Sequence, residues 1–180
     1  MIKDGSVKIL GVDPGSRITG YGVIEVRGQQ QHYLTAGTIR LDHGELADRL
    51  KTIFLRLSEV IAEFAPAELA IEKVFVQRNV DSALKLGQAR GAAICAAALR
   101  DLPVYEYAPN QIKLAVVGRG HAEKAQVQHM VTMLLGLSAK PVSDAADALA
   151  CAICHSNLRR SQLLIAERAR APAPRGVGAR

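Results

Sequence analysis

Four acidic side chains occupy positions from which they could act together. Asp13 ends an apolar run near the amino terminus, and Glu72 ends a second apolar run. Asp144 and Asp147 lie three residues apart, which places both on one face of a helix. If the two strand ends are neighbours in a sheet and the helix closes over them, all four carboxylates gather around one point.

Such a cluster favours metal-dependent chemistry. Carboxylates held close together repel one another, so their pKa values rise. Hard divalent cations such as Mg²⁺ or Mn²⁺ prefer oxygen ligands and would remove that repulsion. Two ions roughly 3.5–4 Å apart can align the attacking water and the leaving oxygen of a phosphodiester. Taken singly, Asp13 before Pro-Gly is also consistent with a turn, and Asp144 with a helix start.

The elements that would position these acids follow from hydrophobic spacing. Alternating and apolar runs predict strands at 7–13, 20–26, 32–41, 69–72 and 103–107. Helical spacing of apolar residues predicts helices at 44–64, 81–100, 109–117 and 123–135, and a last helix from 143 to 155 or beyond. Gly20, Gly22 and Gly28 suggest tight connections between the first strands. This order predicts an α/β fold with a mixed five-stranded sheet flanked by helices on both faces.

Charge divides the chain into two parts. Its 180 residues suit one globular domain, and the formal net charge is +6. After residue 158 there are six arginines and one glutamate, a net +5 of that total. We expect residues 1–158 to form the folded domain and the basic Arg/Ala/Pro-rich tail, 159–180, to be disordered.

Features of targeting and redox chemistry indicate a cytoplasmic protein that does not enter a membrane. The sequence shows no apolar stretch of bilayer length and no secretory signal. Its three cysteines argue against a disulfide framework. Residues 151–155, Cys-Ala-Ile-Cys-His, fit the c-type haem attachment pattern, but buried small cysteines are the better account inside an apolar helix.

Several motifs resemble one known family. GVDPGSRITGYG at 11–22, AIEKVF at 70–75 and DSALKLGQARG at 81–91 are similar to segments of the bacterial RuvC crossover-junction endodeoxyribonucleases. Shorter matches at 116–118, 122–124, 126–130 and 144–149 follow in the same order. The resemblance runs from about residue 8 to residue 155, which is nearly all of the expected folded domain.

This resemblance implies an RNase H-like fold and a homodimeric Holliday junction resolvase. Such an enzyme nicks two symmetric strands of a four-way DNA junction during recombination and repair. The family's metal ligands match Asp13, Glu72, Asp144 and Asp147, which implies two Mg²⁺ ions per active site, with Mn²⁺ possible. It also implies a partner, the branch-migration motor complex of RuvA and RuvB. We expect the apolar helix at 81–100, with Gly87 and Gly91, to form part of the dimer contact.

The resemblance also implies residues that contact DNA. Phe75 matches an aromatic residue that interacts with unpaired bases at the crossover. Lys113 and Lys124 match basic positions that touch phosphates or stabilise charge at the scissile group. Arg78 and Arg119 are further candidate contacts to the DNA backbone.

One departure and two alternatives remain open. Lys73 follows Glu72 where the family commonly has glutamine, and a cation there could pair with Glu72 or with DNA. The chain could instead bind junctions without cutting them. Its Gly-rich opening at 13–22 could also belong to an actin-like nucleotide-binding phosphotransferase, although 180 residues is short for two lobes and no P-loop is present.

Overall fold

The computed structural model describes residues 6–41, 44–74 and 80–170, with side chains described as far as residue 161. Its strands are β1 (Val7–Asp13), β2 (Ile18–Arg27), β3 (Gln30–Arg40), β4 (Glu68–Glu72) and β5 (Val104–Tyr107). Its helices are α1 (Leu46–Phe64), α2 (Val80–Ala98), α3 (Pro109–Val117), α4 (Lys124–Leu134) and α5 (Ser143–Arg170). Within these described ranges, no helix combines the length and apolar character needed to span a bilayer.

One mixed sheet organises the chain, in the strand order β3-β2-β1-β4-β5. Strands β1, β2 and β3 follow one another antiparallel, and a short turn at Gly28, with φ +59°, joins β2 to β3. Strand β4 runs parallel to both β1 and β5. Parallel neighbours need a crossover connection, and α1 and α2 supply the two that are required here. The sequence prediction of a mixed five-stranded sheet is confirmed.

Helices cover both faces of the sheet because the central strands are apolar on both sides. Leu10 and Val12 of β1 pack with α1 and α2. Ile9 of the same strand packs with α3, α4 and α5 on the other face. Each face therefore holds its own core, and β1 and β4 at the centre belong to both. This arrangement gives the RNase H-like architecture expected from the sequence.

Helix α5 lies unusually close to the sheet because three facing residues have no side chain. A Cβ at Gly11 would lie 2.0 Å from the Ala148 carbonyl oxygen, and a Cβ at Gly20 would lie 2.0 Å from that of Asp144. At Gly22 it would lie 2.6 Å from the Leu149 side chain. We call Gly11, Gly20 and Gly22 the glycine row.

The glycine row corrects one sequence expectation. Gly20 and Gly22 lie inside β2 and not in a tight connection, while Gly28 does occupy a turn. A glycine inside a strand often marks the close approach of another backbone, and that backbone here is the amino-terminal half of α5. The sequence suggested turns because glycine is common in both settings.

Helix α5 also extends past the expected domain boundary. It continues without a break to Arg170, and Arg159 Nε lies 3.1 Å from Glu68 Oε1. Residue 158 therefore lies inside a helix that is anchored to β4, and the division into a folded domain, 1–158, and a tail, 159–180, stays a prediction. Residues 171–180 lie outside the described residues, so the expected disorder of the tail stays a prediction.

The haem-like pattern lies in the core. Cys151 and Cys154 are buried free thiols on α5, and burial raises the pKa of Cys154 to about 11. His155 is also buried and is hydrogen-bonded at 2.6 Å to the Tyr107 hydroxyl and at 2.6 Å to a Glu68 carboxylate oxygen. These side chains pack in the core and connect α5 to β4 and β5. The interpretation of the pattern as buried small cysteines is confirmed.

The glycine row leads to a stability prediction. Gly11→Ala should destabilise the protein by about 1–3 kcal/mol or more, because the added methyl group meets a backbone oxygen that cannot move independently of α5. Gly120→Ala is the matched control, since a Cβ there would find its nearest neighbour at 3.8 Å. Urea unfolding measures both variants. Equal stabilities of the two would contradict the close contact between α5 and β1.

Candidate metal and nucleic-acid site

Parallel pairing of the two central strands places the first two acids side by side. Val12 of β1 pairs with Ile71 of β4, so Asp13 and Glu72 follow at the carboxyl ends of adjacent strands. Both side chains point to the face that α5 covers, because the residue two positions before each one packs on that face. Each carboxylate therefore ends a buried strand and is itself only partly exposed.

Two hydrogen bonds between Gly15 and Thr19, which we call the turn lock, hold the chain just after Asp13. The backbone N–H of Gly15 donates to Thr19 Oγ1 at 3.3 Å, and the Thr19 hydroxyl donates to the Gly15 carbonyl at 3.2 Å. Thr19 is completely buried, so this turn is held from inside the fold. The lock limits how far Asp13 can move away from the strand end.

The first turns of α5 bring the other two acids to the same place. Asp13 pairs with Gly20 across β1 and β2, and the Asp144 backbone lies directly over Gly20. Asp147 follows one turn later and is partly buried like Asp144. The glycine row therefore sets the height at which these two acids lie above the strand ends.

The charges of the four acids interact. The pKa of Asp13 is raised from 3.8 to about 8, mainly by burial and then by Glu72, Asp147 and Asp144, against an opposing effect of Lys124. The pKa of Glu72 is raised by burial and then by Asp147. Partly desolvated carboxylates that repel one another bind protons or cations more readily than isolated ones.

Two lysines moderate this charge from one side. Lys124 Nζ lies 3.3 Å from Asp147 Oδ2, and this carboxylate is the main cause of the raised pKa of Lys124. Lys113 lowers the pKa of Glu72 in turn. The Lys124 side chain is 75% exposed, so its ion pair is weak and can be exchanged for another anion.

Two open clefts meet at the acid pair. The α3/α4 cleft, of about 240 Å³, is lined by Asp13, Pro109 and Glu72 and by Ile112, Lys113, Lys124, Val127 and Asp147. The α2 cleft, of about 150 Å³, has the same first three residues and also Pro14, Lys73, Val74 and Leu86. An extended chain can therefore cross the strand ends from one cleft to the other.

The donor set suits a hard divalent cation. It consists of carboxylate oxygens only, and the pKa of Asp13, about 8, reflects burial first and then repulsion by the neighbouring carboxylates. In the described part of the chain, no three His, Cys, Asp or Glu side chains are close enough to hold an ion as they are placed. Binding would therefore require rotation of carboxylate side chains within the cluster.

The residues that the sequence predicted to contact DNA lie in different places. Lys113 and Lys124 line the α3/α4 cleft beside the acids. Arg119 is exposed in the connection between α3 and α4 and does not line either cleft. Phe75 and Arg78 lie outside the described residues.

Sequence reasoning missed the role of Gly20 beneath Asp144 and of Pro109, which is shared by both clefts. Glycine at alternate positions of an apolar strand was the available signal for the first. Nothing in the local sequence marks Pro109, since its position depends on how β5 leads into α3.

The sheet order, the helices on both faces and the acidic clefts at the ends of the central strands define a nuclease of the RNase H-like class. A family model described as "Crossover junction endodeoxyribonuclease RuvC" matches residues 9–155. The chain belongs to this family.

Similar proteins agree over most of the chain. RuvC of Shewanella amazonensis is 60% identical over 161 residues, which are 89% of this chain and 93% of that protein. RuvC of Aeromonas salmonicida is 61% identical over 161 residues, again 89% of this chain and 93% of that protein. Among solved structures, Thermus thermophilus RuvC in complex with Holliday junction substrate is 36% identical, has a TM-score of 0.82, and covers 87% of this chain and 96% of its own.

The charge cluster predicts a stability change that depends on pH. The pKa of Asp13 in the fold, about 8, exceeds its ordinary value of 3.8, so the folded chain retains a proton that the unfolded chain releases. Asp13 therefore destabilises the fold increasingly as pH rises from about 4 to 8. In chelator, Asp13→Asn should be about 1–3 kcal/mol more stable at pH 8, with a smaller gain at pH 5, measured by urea unfolding.

Addition of Mg²⁺ gives the internal control for this prediction. The cation should stabilise the wild-type protein more than Asp13→Asn, because the variant lacks one charged ligand. A variant that is no more stable than wild type at pH 8 would show that the cluster is not electrostatically strained.

Proposed function

We propose that this protein is a Holliday junction resolvase, a homodimeric, Mg²⁺-dependent endonuclease that nicks two symmetric strands of a four-way DNA junction in recombination and repair. The observation that carries the proposal is the group of three acids acting on Asp13 at the end of β1, in a chain of the RuvC family. A buried acid with so high a pKa is costly to maintain and is typical of a functional site.

Asp13, Glu72, Asp144 and Asp147 would hold two Mg²⁺ ions per active site, with Mn²⁺ as a possible substitute. When bound, such ions activate water and stabilise the leaving oxygen of a phosphodiester. The chain itself holds the carboxylates at fixed strand ends, through the turn lock after Asp13 and through the glycine row under α5. The proposed products are a 5′-phosphate and a 3′-hydroxyl, which a ligase could seal.

The lysines bind and orient the DNA strand. Lys124 can leave Asp147 for a phosphate, because its own side chain is exposed and both partners lie in the α3/α4 cleft. Lys113 lies in the same cleft and adds a second positive charge. Phe75 would stack on unpaired bases at the crossover, and Arg78 and Arg119 would contact the backbone outside the clefts.

Helix α2 is the proposed contact between the two subunits. Leu84 on this helix and Leu99, just after its end, are exposed. A Cβ at Gly87 or Gly91 would meet no described atom within 4 Å, so a second backbone has room to approach there. A two-fold dimer suits a junction whose two cut strands are themselves related by two-fold symmetry.

The partners and place of action extend this proposal. A branch-migration motor of RuvA and RuvB would deliver the junction. Junction cleavage would take place in the cytoplasm beside the chromosome. Support for both comes from family membership.

Two alternatives predict different behaviour. A protein that binds junctions without cutting them would leave DNA intact in Mg²⁺ and in Mn²⁺. An actin-like phosphotransferase would bind ATP, and membership of a junction-nuclease family counts against it.

Junction cleavage tests the function directly. Purified protein, a synthetic four-way junction and Mg²⁺ should give paired, symmetric nicks on a denaturing gel, while matched duplex DNA stays intact. Asp13→Asn should lower the rate roughly a hundred-fold or more, yet bind the junction within about threefold of wild type, since binding rests on phosphate contacts.

The exposed Asp48 of α1 supplies the control, because Asp48→Asn makes the same charge change far from the clefts and should cleave normally. Binding without nicks in either cation would favour the non-catalytic alternative. Loss of both binding and cleavage in Asp13→Asn would contradict the separation of the two activities.

A further inference from the structure

Lys73 has a fixed main chain and an exposed side chain. It follows Glu72 at the end of β4, and its backbone N–H donates to the Tyr107 carbonyl at 2.8 Å, which continues the pairing of β4 with β5. Adjacent residues of an extended segment point to opposite faces. Glu72 faces α5, and Lys73 lies on the other side, where it lines the α2 cleft with Leu86 of α2.

The acid pair lies between two groups of cations. Lys113 and Lys124 line the α3/α4 cleft, and Lys73 lines the α2 cleft. Asp13 and Glu72 border both clefts. A strand whose scissile phosphate lies at the acids must continue into a cleft on each side, and it meets a lysine in both.

Lys73 is available for such a contact. Within the described part of the chain it forms no ion pair, although Glu72 is its immediate neighbour. On α2, Asp81 already forms an ion pair with Lys85, in which Oδ2 and Nζ lie 2.6 Å apart. The α2 cleft brings no further acid beyond the two it shares with the α3/α4 cleft. A flexible ammonium without a partner beside a metal-type acid cluster is suited to a phosphate group.

We propose that Lys73 binds a backbone phosphate of the cleaved strand that flanks the scissile phosphate on the α2 side. This inference rests on the proposed function and adds a subsite to it. The cleaved strand then crosses the carboxyl ends of β1 and β4. Lys113 and Lys124 bind it on one side of the acids and Lys73 binds it on the other, whichever way the strand runs. Lys73 positions the strand and takes no part in proton transfer.

Neutral phosphates locate the contact. A set of junctions carries one methylphosphonate each, at successive positions on both sides of the cut, and single-turnover cleavage is compared for wild type and Lys73→Gln. Wild type should lose several-fold in rate when one flanking phosphate is neutral. Lys73→Gln should show a similar loss on unmodified DNA and no further loss at that position. Lys51→Gln, an exposed lysine on α1, should retain the wild-type response at every position.

Binding provides a second readout that does not depend on cleavage. In the Asp13→Asn background, adding Lys73→Gln should reduce the slope of log affinity against log salt by about one, as expected for one lost phosphate contact. The Mg²⁺ concentration that gives half-maximal cleavage should be the same for Lys73→Gln and wild type. A structural role for Lys73 would not produce sensitivity to a single phosphate.

The outcomes separate this inference from the function beneath it. If Lys73→Gln and each methylphosphonate lower the cleavage rate independently of one another, the subsite is wrong. A changed Mg²⁺ requirement without coupling to a single phosphate also overturns it, and would indicate that Lys73 acts on Glu72 instead. If wild type binds junctions but does not cut them, the nuclease proposal fails and the salt slope still decides the Lys73 contact. If it neither binds nor cuts, both fail together.

Discussion

Backbone contact between α5 and the central strands determines how close the two acids of α5 lie to the two at the strand ends. Side chains normally keep a helix well above a sheet, but the glycine row removes them where α5 crosses β1 and β2. Asp144 therefore begins its helix directly over Gly20, whose partner in the sheet is Asp13. Larger residues in the row would raise α5 and separate its acids from those on the strands, while the sheet itself could still form.

Close approach has an electrostatic cost that explains the chemistry of the site. Burial and three neighbouring carboxylates raise the pKa of Asp13 to about 8. In the described part of the chain, the ion pair between a lysine and the cluster is that of Lys124 with Asp147, and it is weak because the lysine side chain is exposed. A divalent cation would offset this repulsion more effectively than an exposed lysine can. The same arrangement that is unfavourable for folding is thus suited to the proposed binding of cations and of the phosphates that accompany them.

Strand and helix positions were largely predictable from the sequence, because the central strands are apolar on both faces and α1 has one clear apolar stripe. The resemblance identified Asp13, Glu72, Asp144 and Asp147. In the structure the first two and Asp147 line the α3/α4 cleft, and Asp144 lies close enough to Asp13 to raise its pKa. The sequence predicted that α5 could continue beyond residue 155, but its end at Arg170 could not be placed because its last turns are polar and arginine-rich. Cleft boundaries also escaped prediction, because they depend on how distant elements such as α2 and α3 meet the strand ends.

The central claim is that these four acids form a cation site once their carboxylate side chains rotate within the cluster. Crystals soaked in Mn²⁺ and measured for anomalous scattering test it most directly, because the signal locates the ion without reference to activity. The account predicts one or two anomalous peaks among Asp13, Glu72, Asp144 and Asp147, within about 2–2.5 Å of carboxylate oxygens, and their loss in Asp13→Asn. Strong peaks elsewhere with none at the acids would contradict it.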